Sequence, residues 1–143
     1  MQGISEASRR HGWAWIALTL ALAIHVTDEA LTDFLCVYNP AVRAIRQRLP
    51  LLPLPTFTFT IWLSGLLALV LLLLLLSRLV FRGVRWMVPL SYVLGGMMLA
   101  NGLGHIAGSL YFKRPMPGVY SAPLRLAGSV YLMAQARRVA RTR

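Results

Sequence analysis

The first long apolar segment of the chain contains a cluster of polar residues whose side chains could do chemistry. The stretch AIHVTDEALTD, residues 23–33, places His25 beside three of the four acidic residues of the chain: Asp28, Glu29 and Asp33. Residues three and four apart lie on one face of a helix, so His25, Asp28 and Glu29 are predicted to face the same way. Hydrocarbon surroundings exclude ionised groups, and the cluster therefore predicts a functional site.

Polar positions in the other apolar segments are predicted to reach the same depth. Asn101 and His105 are one helical turn apart, Arg125 lies early in the last apolar segment, and Thr60 and Ser64 form a similar pair. Counted inward from the non-cytoplasmic end of each helix, at a rise of 1.5 Å per residue, most of these positions lie at the depth of the first cluster. Together they occupy a layer about 10–15 Å thick in the outer half of the membrane. We infer one polar site inside a helix bundle, opening toward the non-cytoplasmic side.

Two kinds of chemistry fit these residues. His25, Glu29 and His105 form a set of two histidines and a carboxylate, which in proteins holds zinc or non-haem iron with open positions. In that version one divalent ion activates water or, as iron, dioxygen, and Asp28 acts as a base or supports a ligand. In the metal-free version, with no cofactor, burial keeps a carboxylic acid protonated, and this acid protonates an alkene or epoxide, giving isomerisation or cyclisation.

The remaining polar residues are expected to assist the cluster. Arg125 and Asp33 are predicted to bind the substrate or to serve as counter-ions, because buried carboxylates need a positive partner. Interfacial solvation explains Asp33 equally well, since it lies near a helix end. Asn101 is predicted to be catalytic, or to orient His105 through a hydrogen bond. The alternative for the whole cluster is an ion-pair network that only fixes helix packing.

The composition is typical of a small integral membrane protein. Of 143 residues, 57% are hydrophobic and 13% are charged, against roughly 25% charged residues in soluble domains. The net charge of +11 comes from basic residues at the ends of apolar runs, which is typical of membrane flanks and argues against a nucleic-acid partner. The single Cys36 excludes an intrachain disulfide. We expect one membrane domain over residues 1–143.

Four apolar segments are long enough to cross a bilayer as helices, which requires roughly 20 apolar residues. They cover about residues 13–38, 57–80, 86–112 and 119–136. The arginine-rich stretch 40–50 spaces its apolar residues as an amphipathic helix and is predicted to lie in the membrane interface. The predicted fold is all-α: a polytopic four-transmembrane-helix bundle with a short interfacial helix between its first two helices.

The placement of arginine and lysine predicts the orientation and the surroundings of the bundle. More basic residues flank the helices on the side of the two termini than on the opposite side, which predicts that both termini are cytoplasmic. The expected location is the plasma or inner membrane. The expected partners are the lipid bilayer and a hydrophobic small-molecule substrate, with a homo-oligomer as a further option.

The motifs resemble those of the HXXEE-domain family of small integral membrane proteins, which is named after His-x-x-Glu-Glu in its first helix. The matching positions are His25, Asp28, Glu29, Asn101, His105, Pro117, Gly118 and Ser121. The chain departs from the pattern at Asp28, where the family has Glu, and at Pro115, where an aromatic residue is expected. Because Asp is shorter by one methylene, direct ligation by residue 28 stays open. The resemblance implies a membrane-embedded, enzymatic site at the matching His, Asp, Glu and Asn positions, without naming a substrate.

Two classes of function remain open. The first is an enzyme that acts on a lipid-like or isoprenoid-like small molecule by metal-assisted hydrolysis or oxidation, or by acid–base isomerisation or cyclisation. The second is a small membrane carrier or a relay for protons or metal ions, because intramembrane acids and histidines often mark ion pathways. The cytoplasmic half of the predicted bundle lacks polar stripes, which argues against a relay.

Overall fold

The computed structural model describes residues 5–142, which form five α-helices and no β-strand. The helices are α1 (Glu6–Leu31), α2 (Phe34–Arg48), α3 (Phe59–Phe81), α4 (Met87–Phe112) and α5 (Ala122–Arg141). α1 is central, because it packs against α3 on one side and against α5 on another, and α5 packs in turn against α4. α3 and α4 barely touch each other, so a groove remains between them.

α1 begins well before the apolar run because a serine caps it. The hydroxyl of Ser5 accepts a hydrogen bond from the backbone N–H of Ser8 at 3.1 Å, which is the usual role of serine at this position. Glu6, in the first turn, forms ion pairs with Arg9 and Arg10. Both contacts are local, and they add a polar first turn to the helix that the apolar pattern predicts.

The structure corrects the predicted first helix over residues 13–38, because α1 ends at Leu31. Thr32 is the C-cap, and its hydroxyl and its N–H both donate to the carbonyl of Asp28, at 2.6 and 3.0 Å. Asp33 then adopts a left-handed backbone with φ of 56° and redirects the chain. The apolar pattern continues through this break, and no glycine or proline marks it, so the sequence gives no sign that the helix ends here.

α2 contains the arginine-rich stretch and starts earlier than the predicted residues 40–50, at Phe34. It is amphipathic, since Val42 is 4% exposed whereas the arginines are exposed. Asn39 fixes the loop that follows, because its side chain donates to the Phe57 carbonyl at 2.9 Å and accepts from the Phe57 N–H at 3.0 Å. The placement of α2 in a membrane interface stays a prediction.

Three of the helices, α1, α3 and α4, are long and apolar enough to cross a membrane. α3 and α4 agree closely with the predicted segments, whereas α5 is shifted toward the C-terminus from the predicted 119–136 because residues before Ala122 form a turn. α5 is less apolar, since it includes Arg125 and several arginines near its end. The all-α fold is confirmed, and α5 as a fourth crossing stays a prediction.

Two close contacts hold the helices that carry the polar residues. The indole N–H of Trp15, a fully buried residue of α1, donates to the carbonyl of Leu73 on α3 at 2.8 Å. On α4, a Cβ added at Gly102 would lie 2.9 Å from the end of the Leu126 side chain, so a larger residue would displace that side chain from its close contact with α4. This contact brings the start of α5 next to the polar residues of α4.

Candidate metal centre

Two histidines and one glutamate converge at one point inside the bundle; they are called the triad below. His25 and Glu29 are one turn apart on α1, and His105 reaches them from α4. Nε2 of His25 and Nε2 of His105 each lie 3.2 Å from the same atom, Oε1 of Glu29. His25 is 2% exposed and Glu29 is 5% exposed, so water does not solvate their facing atoms freely.

The distances within the triad suit a single shared metal ion. With metal–ligand bonds of about 2.1 Å and tetrahedral angles, two ligand atoms lie about 3.4 Å apart. The two separations of 3.2 Å are close to this value. The ligand-type atoms all lie within 4.8 Å of one another, so the two rings would approach by roughly an ångström to share an ion. The triad could therefore hold a metal ion.

The hydrogen bonds of Ser121 decide which nitrogen of His25 carries the proton. The Ser121 hydroxyl donates to Oδ2 of Asp28 at 2.7 Å, because a carboxylate is the strongest acceptor within reach. Its only proton is then used, so at 2.8 Å it accepts the proton of His25 Nδ1. With the proton on Nδ1, a neutral His25 ring would present an unprotonated Nε2 to the triad.

An unprotonated nitrogen that faces a carboxylate oxygen is unfavourable unless a cation lies between them. Nε2 of His25 is buried and has no hydrogen-bond partner within residues 5–142, although Oε1 of Glu29 is close. A metal ion would satisfy both atoms, and two imidazoles with one carboxylate suit zinc or iron. Asp28 accepts hydrogen bonds from the N–H and the hydroxyl of Ser121, and the same hydroxyl contacts Nδ1 of His25. Asp28 therefore orients His25 through Ser121 without being a ligand itself.

The turn before α5 packs directly on both imidazole rings. Gly118 is buried and has φ of +83°, a backbone conformation that favours glycine. A Cβ at this position would lie 2.6 Å from Cε1 of His25 and 2.9 Å from Cε1 of His105. The same turn supplies Ser121. Its Pro-Gly pair is visible in the sequence, but its contact with the histidines depends on the packing of α5 against α1 and α4.

Arg125 and Asn101 form a second polar group beside the triad. Nη2 of Arg125 donates to Oδ1 of Asn101 and, at 3.5 Å, to the carbonyl of Met98. The expected hydrogen bond from Asn101 to His105 is therefore replaced by one with Arg125. Arg125 is 2% exposed, and its Nε has no hydrogen-bond partner in the described part of the chain.

A cavity of about 150 Å³ lies between the triad and this second group. Its polar wall consists of His25, Glu29, Asn101 and Arg125. Its apolar wall consists of Leu22, Val26, Leu66, Leu69, Met97 and Met98. Because Met97 in this wall is 62% exposed and α3 packs little against α4, the cavity opens into the groove between those two helices.

Three of the predicted polar residues lie apart from this cavity. Asp33 is exposed in the turn between α1 and α2, because the break after Leu31 moves it off the face that carries the triad. A hydrogen bond from the Cys36 thiol to the Asp33 carboxylate, together with the negative charge of that carboxylate, raises the pKa of the thiol. Thr60 and Ser64 are exposed on α3, which contributes only leucines to the cavity.

We expect Ser121→Ala to lower the affinity for a metal ion by about 10–100-fold, because His25 would lose the partner that orients its ring. The measurement is a metal titration against a competing chelator. Ser129→Ala is the matched control, since Ser129 is a fully buried serine of α5 whose hydroxyl has no hydrogen-bond partner among the described residues. Equal affinities in the two variants would show that Ser121 does not act on the triad.

The sequence is similar to a known protein family. A family model described as "Protein of unknown function with HXXEE motif" matches residues 15–132. No curated protein and no solved structure matches the chain. The matched stretch includes the whole triad, and the structure separates the roles within the motif: His25 and Glu29 face the same point, whereas Asp28 binds Ser121. The chain belongs to the HXXEE family.

Proposed function

We propose that the protein is a membrane-embedded, metal-dependent enzyme that acts on a lipid-like or isoprenoid-like small molecule. The observation that supports this most directly is the convergence of His25 Nε2 and His105 Nε2 on one oxygen of Glu29. A bound zinc or iron ion would supply a Lewis acid for hydrolysis or, as iron, a centre for dioxygen chemistry.

Each neighbouring residue has a defined task in this proposal. His25, Glu29 and His105 hold the ion, while Ser121 and Asp28 fix the tautomer and orientation of His25. Asn101 and Arg125 lie across the cavity, where they would contact the substrate. The apolar wall would exclude water and accept the hydrocarbon part of the substrate.

The positions of the acidic residues favour oxidation over hydrolysis. A metal-dependent hydrolase of the kind with a separate carboxylate base needs an acid that does not ligate the ion. Asp28 is engaged by Ser121, Asp33 is exposed away from the cavity, and Glu6 pairs with arginines at the far end of α1. No acid among residues 5–142 is therefore free beside the triad, and this supports oxidation by iron and dioxygen over hydrolysis.

The membrane arrangement is part of the proposal. We place α5 as a fourth crossing because it packs between α1 and α4, with both termini cytoplasmic and the triad in the outer half. The distribution of basic residues supports this orientation. Exposed leucines of α3 face the lipid or a second copy of the chain.

A proton or metal-ion relay is the second candidate, and one observation favours it. The half of the bundle near the termini does contain buried polar side chains, contrary to the expectation from the sequence. They include His11 and Gln135, and Thr19 and Ser129 follow at the middle of the bundle, each at most 6% exposed. The hydroxyl of Ser129 and Oε1 of Gln135 have no hydrogen-bond partner within residues 5–142, so protons or ions would find polar atoms there.

The experiment that tests the proposed function is elemental analysis of detergent-purified protein from metal-replete culture. We expect about one equivalent of iron or zinc in the wild type and its loss in His105→Ala, because three protein ligands are the usual number at a catalytic site. His11→Ala is the matched control, since His11 is a buried histidine that contacts Ser91 at 2.8 Å instead of the triad.

The outcomes separate the candidates. Iron in the wild type supports oxidation, and zinc supports hydrolysis. A wild type without metal, or equal metal in the wild type and His105→Ala, overturns the metal-dependent enzyme. That result would favour acid–base isomerisation, with a proton between His25 and Glu29, or the relay.

A further inference from the structure

The cavity beside the triad contains a buried positive charge that forms no direct ion pair among the described residues, although Glu29 attracts it from across the cavity. On this basis, and resting on the proposed function, we infer that the cavity binds the carboxylate head of a single-chain amphiphile and that Arg125 is its partner. The substrate class would then be a fatty-acid-like anion that enters from the membrane.

The charge of Arg125 is the first argument. A buried guanidinium is costly unless it is paired, and within the described chain no carboxylate lies within ion-pair distance of Arg125. Its hydrogen bonds use only Nη2 and neutral acceptors, so the buried N–H of Nε remains unused. A guanidinium binds carboxylates with strong, directional hydrogen bonds.

The acids of the chain are committed elsewhere. Glu29 Oε1 faces the two histidines, Asp28 accepts from Ser121, and Glu6 pairs with arginines at the other end of α1. Asp33 is exposed outside the cavity. A direct ion pair for Arg125 therefore requires an anion from outside the chain, since Glu29 attracts it only from beyond ion-pair distance.

The volume of the cavity limits the size of the ligand head that it can hold. A volume of about 150 Å³ equals that of about five water molecules, each of which takes about 30 Å³ in the liquid. A carboxylate with a few methylene groups fits this space, whereas the headgroup of a two-chain phospholipid with its glycerol does not. The two methionines in the wall have flexible side chains that adapt to a hydrocarbon chain.

The groove between α3 and α4 gives the tail of such a ligand a way out. Leu66 and Leu69 line it on α3, and Met97 and Met98 line it on α4, with Met97 62% exposed. Outside this rim α3 exposes further leucines, which form an apolar surface toward lipid. The head would lie at Arg125 and the tail in the bilayer.

This orientation places the carbon atoms nearest the carboxylate of the ligand next to the triad. His25 and Glu29 line the same cavity as Arg125, so a carboxylate held by Arg125 brings the first carbons of its chain beside the candidate metal centre. The reaction of the proposed enzyme would then occur near the carboxyl end of the substrate and not at the far end of its tail.

The test is equilibrium binding of radiolabelled dodecanoate, with dodecanol as the uncharged analogue, to the full chain in nanodiscs, both with metal and after chelation. We expect the wild type to bind dodecanoate about 10–100-fold more tightly than dodecanol, the range for a hydrogen bond to a charged group. Arg125→Gln should lose this preference and bind dodecanol as before. Arg82→Gln, at an exposed arginine, is the matched control and should behave as the wild type.

A second variant covers the case in which Arg125→Gln does not fold. Leu69→Trp keeps Arg125 and fills the apolar wall, so it should weaken dodecanoate binding by at least about tenfold, since the added ring occupies the space of the chain. Equal affinity of the wild type for dodecanoate and dodecanol, or full dodecanoate affinity in either variant, overturns the inference.

The two proposals fail in different ways. If the wild type contains no metal but prefers dodecanoate through Arg125, the carboxylate site is retained and the metal-dependent enzyme is rejected. If metal is present and lost in His105→Ala, while no preference for dodecanoate is found, the inference on the substrate class is rejected alone.

Discussion

Gly118→Ala is expected to lose most of the bound metal and to lower the free energy of unfolding by about 2–5 kcal/mol. A non-glycine residue in the left-handed region costs about 1–2 kcal/mol, and an extra methyl group in a packed site typically costs about 1–3 kcal/mol. The new Cβ would meet His25 at 2.6 Å and His105 at 2.9 Å, so at least one ring must leave its position. Elemental analysis and denaturant unfolding measure the two effects.

Gly104→Ala is the matched control for this substitution. Gly104 is a helical residue of α4, one position before His105, and a Cβ added there meets nothing within 4 Å. Alanine should stabilise the helix by up to about 1 kcal/mol and leave the metal content unchanged. Full metal content in Gly118→Ala would contradict the close packing of the turn on the two histidines.

Added metal is expected to stabilise the wild type strongly and to leave Glu29→Gln unchanged. At a free metal concentration of 1,000 times Kd, an ion that binds only the folded state adds about 4 kcal/mol, which corresponds to a rise in Tm of roughly 10 °C. Glutamine keeps the size of the side chain but removes the anionic ligand, so the ion would lose one of its three protein ligands. Thermal unfolding of chelated protein, before and after addition of iron or zinc, measures the effect.

Glu6→Gln provides the comparison on the same helix. Glu6 lies at the N-terminal end of α1 and pairs with Arg9 and Arg10 on an exposed surface, so its loss should leave the metal-dependent rise in Tm intact. A rise of the same size in Glu29→Gln and in the wild type would show that the ion binds elsewhere or to the unfolded chain. In that case Glu29 would not be a ligand.

The central position of α1 explains why its motif has this spacing. Because α1 contacts both α3 and α5, its polar residues point in different directions toward different partners. His25 and Glu29, four residues apart, meet His105. Asp28, one residue before Glu29, is rotated by about 100° from it and reaches Ser121 instead. An acid at residue 28 therefore supports His25 through Ser121 and does not compete with Glu29 for the position between the two histidines.

Much of the architecture could be predicted from local patterns in the sequence. The apolar runs predict α3 and α4 closely, since a long apolar helix needs no information from distant residues. Helical spacing places His25 and Glu29 on one face for the same reason. The end of α1 was not predictable in this way, because Thr32 and Asp33 end the helix without glycine or proline.

The sequence by itself determined that the chain is helical and apolar and that it carries a histidine–carboxylate cluster, because composition and helical periodicity are local properties. Only the tertiary structure decided the partners of each polar side chain. It brings His105 to Glu29, turns Asn101 to Arg125 and leaves Thr60 and Ser64 exposed. These outcomes depend on how α3, α4 and α5 rotate about their axes when they pack, and helix packing is set by contacts between residues far apart in the chain.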